Sequence, residues 1–196
     1  MTKMLKPGKR REHILNESAM LFKERGFGGA TMRDIAVRVG IEAGSMYNHI
    51  KSKDDLLEDI CFRVAGLYLS HLDEIEAEYA SVYARIDALI RLHVRIMVED
   101  GAAVFVTNNE WKSLKGEKLI SFKAMRDSYE TRVKDLLIAG MDEGVFRRVD
   151  PTVALFTVLS SVRWVERWYK PTRKIDPQSL ENDIVAIVIG GLKNGE

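Results

Sequence analysis

Cysteine occurs once, at Cys61, so no internal disulfide can form, and a reducing, cytoplasmic compartment is the expectation. Proline is scarce, at 4 residues in 196, and helix formers such as Ala, Leu, Glu, Lys, Arg and Met dominate, which tilts the fold class to all-α. Long hydrophobic runs are missing as well. The longest, Val185 to Leu192, falls far short of the ~20 residues of a membrane span, so no membrane partner is expected. The basic stretch Met1 to Arg11 leads into an amphipathic pattern instead of a continuous apolar segment, which argues against a secretory signal. What is abundant is apolar and charged side chains, 46% and 30% of the chain, enough to bury a core and solvate its surface.

The net charge of +1 conceals an asymmetry. Residues 1–53 hold 11 Lys/Arg against 5 Asp/Glu, a net of +6, and residues 54–196 hold the other 19 against 24, a net of −5. A basic head on a mildly acidic body suggests a polyanionic partner for the head alone, although a charge excess is by itself often just a solvated surface.

Apolar spacing and punctuation predict about nine helices and no strands. Ile14, Leu15, Ala19, Leu21 and Phe22 mark a first helix from Arg10 to Arg25, stopped by Gly26. Thr31 can cap a short second helix that ends at Gly40, and a short third helix is expected from Ala43 to Ile50. Ser52 can cap a long fourth helix whose first turn carries Asp54 and Asp55 where the helix dipole favours them. A fifth runs from Ser81 to near Gly101, followed by a shorter or kinked apolar stretch over 102–114, and a sixth from Lys115 to Glu143 is closed by Gly144. Asp150-Pro151 and Asp176-Pro177 each open a later helix, ending near Tyr169 and Leu192, with Asp as cap and Pro at the first helical position.

Two short helices joined by a tight glycine-containing turn, braced by a preceding helix inside the basic part of the chain, meet the requirements of a helix-turn-helix that reads a DNA major groove. Ala43, Gly44 and Ser45 keep the start of the second helix narrow, while Tyr47, Asn48 and His49 offer donors and rings to phosphates and bases. The stretch from Thr31 through Met-Arg-Asp-Ile-Ala-Val-Arg-Val-Gly to Tyr47-Asn-His-Ile-Lys-Ser-Lys-Asp-Asp-Leu-Leu, with the Gly26-Phe27 pair before it, resembles the signature of the TetR family of regulators.

The resemblance implies a DNA-binding domain over 1–53 and a ligand-binding and dimerisation domain over 54–196. It places Thr31 and Lys53 on backbone phosphates, Ala43, Gly44, Ser45 and Asn48 near base edges, and Tyr47 and His49 on phosphates or the groove wall. Plainer roles stand beside these: Thr31 as a helix cap, Tyr47 as packing, Lys53 as the neutraliser of Asp54 or Asp55. The resemblance also implies a homodimer whose four-helix bundle comes from 151–169 and 177–192, where Val188, Ile189, Gly190, Gly191 and Leu192 suit an interface, and a ligand-responsive repressor released by a small hydrophobic effector. Candidate effector contacts are Phe105, Asn108, Trp111, Phe122, Tyr129, Trp164 and Trp168, with Arg126, Arg163 and Arg167 as anion anchors. The segments Glu110-Trp111-Lys112-Ser113-Leu114 and Trp164 to Pro171 resemble the TetR-type regulators of fatty-acid or sterol breakdown, which respond to acyl-CoA thioesters; Lys170, Arg173 and Lys174 can meet CoA phosphates or simply form a solvated loop.

The competing classes are a helical-bundle enzyme and a protein-interaction module without DNA binding. A di-metal bundle needs Glu-x-x-His pairs, and none of His13, His49, His71 and His93 has a glutamate three residues earlier. No nucleophile elbow, Cys-x-x-Cys or phosphate-binding glycine loop is present, so no catalytic residue, metal or cofactor is expected, and His71 and His93 read as a surface and a semi-buried histidine.

Overall fold

The computed structural model describes residues 7–48, 50–170, 172 and 175–194. Among these, nine α-helices and one 3-10 turn follow one another: α1 (Pro7–Gly29), α2 (Met32–Val39), α3 (Ala43–Met46), α4 (Lys53–Glu78), α5 (Val82–Asn109), the 3-10 turn (Trp111–Ser113), α6 (Gly116–Asp142), α7 (Pro151–Arg163), α8 (Val165–Trp168) and α9 (Pro177–Leu192). The chain is all-α, as its composition and periodicity predict; the one β-type pairing among the described residues is an isolated antiparallel bridge between Phe146 and Lys193. No helix among the described residues is long and apolar enough to cross a membrane.

The chain packs as two compact units, one of residues 1–65 with 102–123 and the other of 66–101 with 124–196, so α4, α5 and α6 each run through both. In the first unit α1 buries Ile14, Ala19 and Phe22, α2 buries Ile35 and Ala36, and α4 buries Leu56, Leu57 and Ile60. Phe27 stands edge-on to Phe22 with ring centroids 5.3 Å apart. In the second unit Leu72, Ile86, Leu89, Val133, Leu137, Val158 and Val162 are almost wholly buried.

The caps are where the sequence places them. Thr31 accepts from the Asp34 backbone N–H at 3.1 Å while the Thr31 N–H donates to the Asp34 carboxylate at 3.0 Å, a reciprocal capping box. Ser52 accepts from Asp55 N–H at 3.1 Å at the head of α4. Asp150 and Asp176 cap α7 and α9, each followed by its proline. Gly40 ends α2 in the left-handed region at φ 72°. Gly26, at φ 75° and ψ 156°, breaks α1 as expected, although one further turn continues to Gly29.

Three boundaries differ from expectation. The third helix stops at Met46 instead of Ile50, because four residues with Gly44 in the middle and no side-chain cap from Glu42 cannot propagate alone. It is held by burial of Met46 and Ile50, joined by the Ile50 N–H donating to Met46 O at 3.0 Å. The fifth helix does not end near Gly101 but bends at Asp100 (φ −138°, ψ 45°) and resumes to Asn109, so the 102–114 stretch is its continuation followed by the 3-10 turn at Trp111–Ser113. The seventh breaks at Trp164 instead of running to Tyr169; the break turns Val165 into the core and leaves Trp164 61% exposed.

Candidate nucleic-acid interface and effector residues

The exposed end of the head is built by the capped α2 and the α3 turn. Tyr47 is 57% exposed, Asn48 and Gly44 are exposed, and Ser45 is half-buried. A Cβ at Gly44 would meet no atom within 4 Å, so a glycine there is not required by packing within this chain. Ala43 opens α3 by its backbone, and His49 lies outside the described residues. Tyr47 therefore does not pack beneath its helix; its ring projects from a turn whose underside is Met46 and Ile50.

Thr31 and Lys53 are both engaged inside the head. The Thr31 hydroxyl donates to the Asp34 carboxylate at 2.5 Å, and this bond, with the backbone N–H of Thr31 and the nearby Arg25, holds the Asp34 carboxyl below the usual carboxylate range. Thr31→Ala removes the cap and is expected to lower stability by about 1 kcal/mol, read as a shift of the urea midpoint with unchanged slope. Lys53 does not neutralise Asp54 or Asp55. Its Nζ donates to Phe27 O at 2.7 Å and Ala30 O at 2.8 Å and lies 4.4 Å from the Phe27 ring centroid, so it satisfies carbonyls at the end of α1. Asp54 instead pairs with Lys115 at 2.6 Å.

Much of the basic charge in the head is consumed locally. Arg38 bridges Glu17 at 2.8 Å and Glu24 at 2.6 Å, which raises its pKa above the ordinary value, and Arg25 pairs with Asp34 at 3.3 Å. Arg33 and Lys51 are exposed and make no ion pair among the described residues. The sequence motif did not single them out; only partner accounting in three dimensions separates them from the neutralised arginines.

The ten effector candidates divide between the two units. In the first, Phe122 is buried, edge-on to Phe62 at 5.8 Å and 6.0 Å from Trp111, while Phe105, Asn108 and Trp111 are half-buried. In the second, Tyr129 is buried and shares a 2.7 Å hydrogen bond with His93 Nε2, and Tyr68 stacks on the His93 ring at 4.4 Å. Burial pushes His93 down to about 4 and pushes both phenols up. His93 is thus buried instead of semi-buried, whereas His71 is half-buried and pairs with Glu74 at 2.8 Å. Tyr68 and His93 were missed as polar centres, yet the signal exists: Val64, Tyr68 and Leu72, like Leu89, His93 and Met97, keep four-residue steps on buried stripes.

The remaining candidates are more exposed. Arg126 pairs with Glu130 at 3.2 Å, and Arg163 has its pKa lowered first by desolvation of its guanidinium and then by the charge of Arg126. Arg167 lies 5.1 Å from the Trp164 ring centroid and 3.7 Å from Glu166, and Trp168 stands edge-on to Tyr169 at 6.4 Å. Arg173 and Lys174 lie outside the described residues. Among the described residues no group of three or more His, Cys, Asp or Glu comes together as for a metal ion.

Residues 14–60 match the family of bacterial regulatory proteins of the tetR type, and residues 79–192 match the tetracyclin repressor-like C-terminal domain. The chain belongs to the TetR family. A transcriptional repressor of Mycolicibacterium smegmatis, KstR2, is 27% identical to this TetR-family chain over 192 residues, covering 97% of it and 94% of the repressor. The structure of the ketosteroid transcriptional regulator KstR2 of Mycobacterium tuberculosis superposes with a TM-score of 0.89 at 25% identity, covering 95% of this chain and 96% of that one. AibR, solved in complex with isovaleryl coenzyme A and operator DNA, superposes with a TM-score of 0.77 at 26% identity, covering 91% and 97%.

Proposed function

We propose that this TetR-family protein is a dimeric, cytoplasmic repressor that grips operator DNA through residues 1–53 and is released when a small hydrophobic or acyl-CoA-type effector occupies the part formed by 54–196. The observation that carries the reading is the exposed Tyr47–Asn48 turn on a basic, capped helix-turn-helix in a chain whose relatives over nearly full length are transcriptional repressors. The acyl-CoA class is supported by AibR, which was solved with isovaleryl coenzyme A. An effector releases DNA only through a difference in its affinity for the two states.

Dimerisation through 151–169 and 177–192 is supported by apolar surface left open on both segments. Val153 and Phe156 on α7 are 62% and 47% exposed, and Ile187 on α9 is 75% exposed. Gly190 and Gly191 are exposed beside Ile187, while Ile189 and Leu192 are buried within the chain, so the face offered to a partner is narrower than the full apolar run. Two copies would place two recognition elements about one turn of DNA, ~34 Å, or a small multiple apart.

Gel retardation against the protein's own upstream region tests the reading. Binding is expected, it should weaken steeply as salt rises, and Tyr47→Ala should abolish retardation at protein concentrations that fully shift with the wild type. Acyl-CoAs should release the complex. A protein-interaction module or an enzyme would retard nothing.

A further inference from the structure

We infer that Trp111, Lys112 and Lys123 form a recognition site for the adenosine-phosphate head of a coenzyme A thioester. The inference rests on the acyl-CoA reading above and names the part of the molecule that meets the head group. Within the mildly acidic body, residues 112–123 form a basic stretch, holding Lys112, Lys115, Lys118 and Lys123 against the single acid Glu117. The four lysines are not equivalent. Lys115 pairs with Asp54 at 2.6 Å, and Lys118 pairs with Glu58 at 3.2 Å while lying 5.5 Å from the Phe62 ring centroid. Both fasten the start of α6 to α4 within the first unit.

Lys112 and Lys123 do something else. Each brings its ammonium to 5.9 Å from the centroid of the same Trp111 ring, both side chains are exposed, and neither makes an ion pair among the described residues. At that distance the attraction of an exposed cation to a ring is weak, so the indole does not neutralise either ammonium.

An anion would supply a counter-charge to both ammonium groups. A half-buried indole backed by Phe122 offers a flat surface on which a purine can stack. The two flanking ammonium groups offer charge-assisted bonds to phosphates. Flat ring plus paired cations matches an adenosine phosphate and not a free fatty acid, which carries one charge and no ring. The site also lies in the unit that carries α1, α2 and α3, so its occupation acts on the body that reads DNA.

Calorimetric titration of the full-length protein with free coenzyme A tests this. The double variant Lys112→Gln/Lys123→Gln should bind about tenfold more weakly or worse, Trp111→Leu should weaken binding similarly, and the loss should shrink as salt screens the wild type. Trp111→Phe, which keeps a ring, should recover part of it. Equal affinity in wild type and double variant overturns the site, as does no binding of coenzyme A by the wild type or tighter binding of ATP than of coenzyme A. Operator release is read separately. Release by acyl-CoA that persists at unchanged concentration in the double variant overturns the site and leaves the proposed function standing. If no acyl-CoA releases DNA while coenzyme A affinity still depends on Lys112 and Lys123, the proposed effector fails and the site stands.

Discussion

Gly140→Ala is expected to destabilise the protein, against the ordinary rule that alanine inside a helix is better than glycine by about 1 kcal/mol. A Cβ at residue 140 would lie 2.2 and 2.5 Å from two ring carbons of Phe146 and 3.1 Å from Val82 Cγ1. The Phe146 ring is wholly buried, and its own backbone N–H donates to Gly140 O at 2.9 Å, so the backbone that carries the ring is tied to residue 140 itself. The segment that carries the ring also holds the end of α9: Phe146 forms a backbone bridge with Lys193, Arg147 N–H donates to Leu192 O at 2.8 Å, and Asn194 donates to Gly144 O at 2.7 Å.

Overpacking of this kind costs typically about 1–3 kcal/mol, and Phe146→Ala, which empties the notch from the other side, should cost about 3–5 kcal/mol. The double variant Gly140→Ala/Phe146→Ala should cost less than the sum of the two, since the new methyl then fills space vacated by the ring. Urea unfolding of the three variants measures all of this. A stabilising Gly140→Ala, or strict additivity, would show that the ring does not sit on the glycine in solution.

This notch also shows which features a sequence exposes and which it hides. Thr31, Ser52, Asp150 and Asp176 act as caps through bonds to residues two or three positions away, so their chemistry is complete within a short window of sequence. Gly40 and Gly26 are legible for the same reason, being punctuation in a local pattern. Gly140, in contrast, is required by a side chain across a turn, and nothing next to it in the sequence announces that.

The same division runs through the candidate site. The helix-turn-helix was legible because capping, turn chemistry and exposure of Tyr47 coincide within about twenty residues. The commitment of Lys53 to the carbonyls of Phe27 and Ala30, across 26 and 23 positions, was not. Nor was the length of α3, where a local helix signal met a glycine and too few residues to propagate. All but one of the ten effector candidates are aromatic or basic residues on predicted inner faces, a pattern that includes buried Phe122 and Tyr129 but does not tell them from exposed Trp164. His93 escaped it because a histidine among leucines and valines looks like an interruption of a stripe, when it is part of one.

Acid is therefore expected to unfold the protein through His93. The imidazole is buried, stacked on Tyr68 and bonded to Tyr129, and burial pushes its pKa from 6.5 down to about 4. A base that is harder to protonate when folded stabilises the fold only while the unfolded chain is also neutral. As pH falls through 6.5 the unfolded chain takes up a proton that the folded chain refuses until about 4, so stability is lost across that interval and not above it. At 1.36 kcal/mol for each pKa unit the full loss is about 3 kcal/mol, of which about 2 should be gone by pH 5 or so.

The groups around the ring do not mask this effect. Burial raises the pKa of both Tyr68 and Tyr129, with Asp100 adding to the first and Arg132 opposing the second, so both phenols stay protonated throughout. Since Phe in place of His93 alone would strand the Tyr129 hydroxyl, the informative comparison is His93→Phe/Tyr129→Phe, which removes both ends of the bond and the titration together. Urea midpoints at a series of pH values should show the wild type losing its stability relative to this variant below about pH 6.5 and running parallel to it above about pH 7. Parallel curves over the whole range would mean that the imidazole is hydrated in the folded protein, and that the buried Tyr68–His93–Tyr129 cluster is open to water.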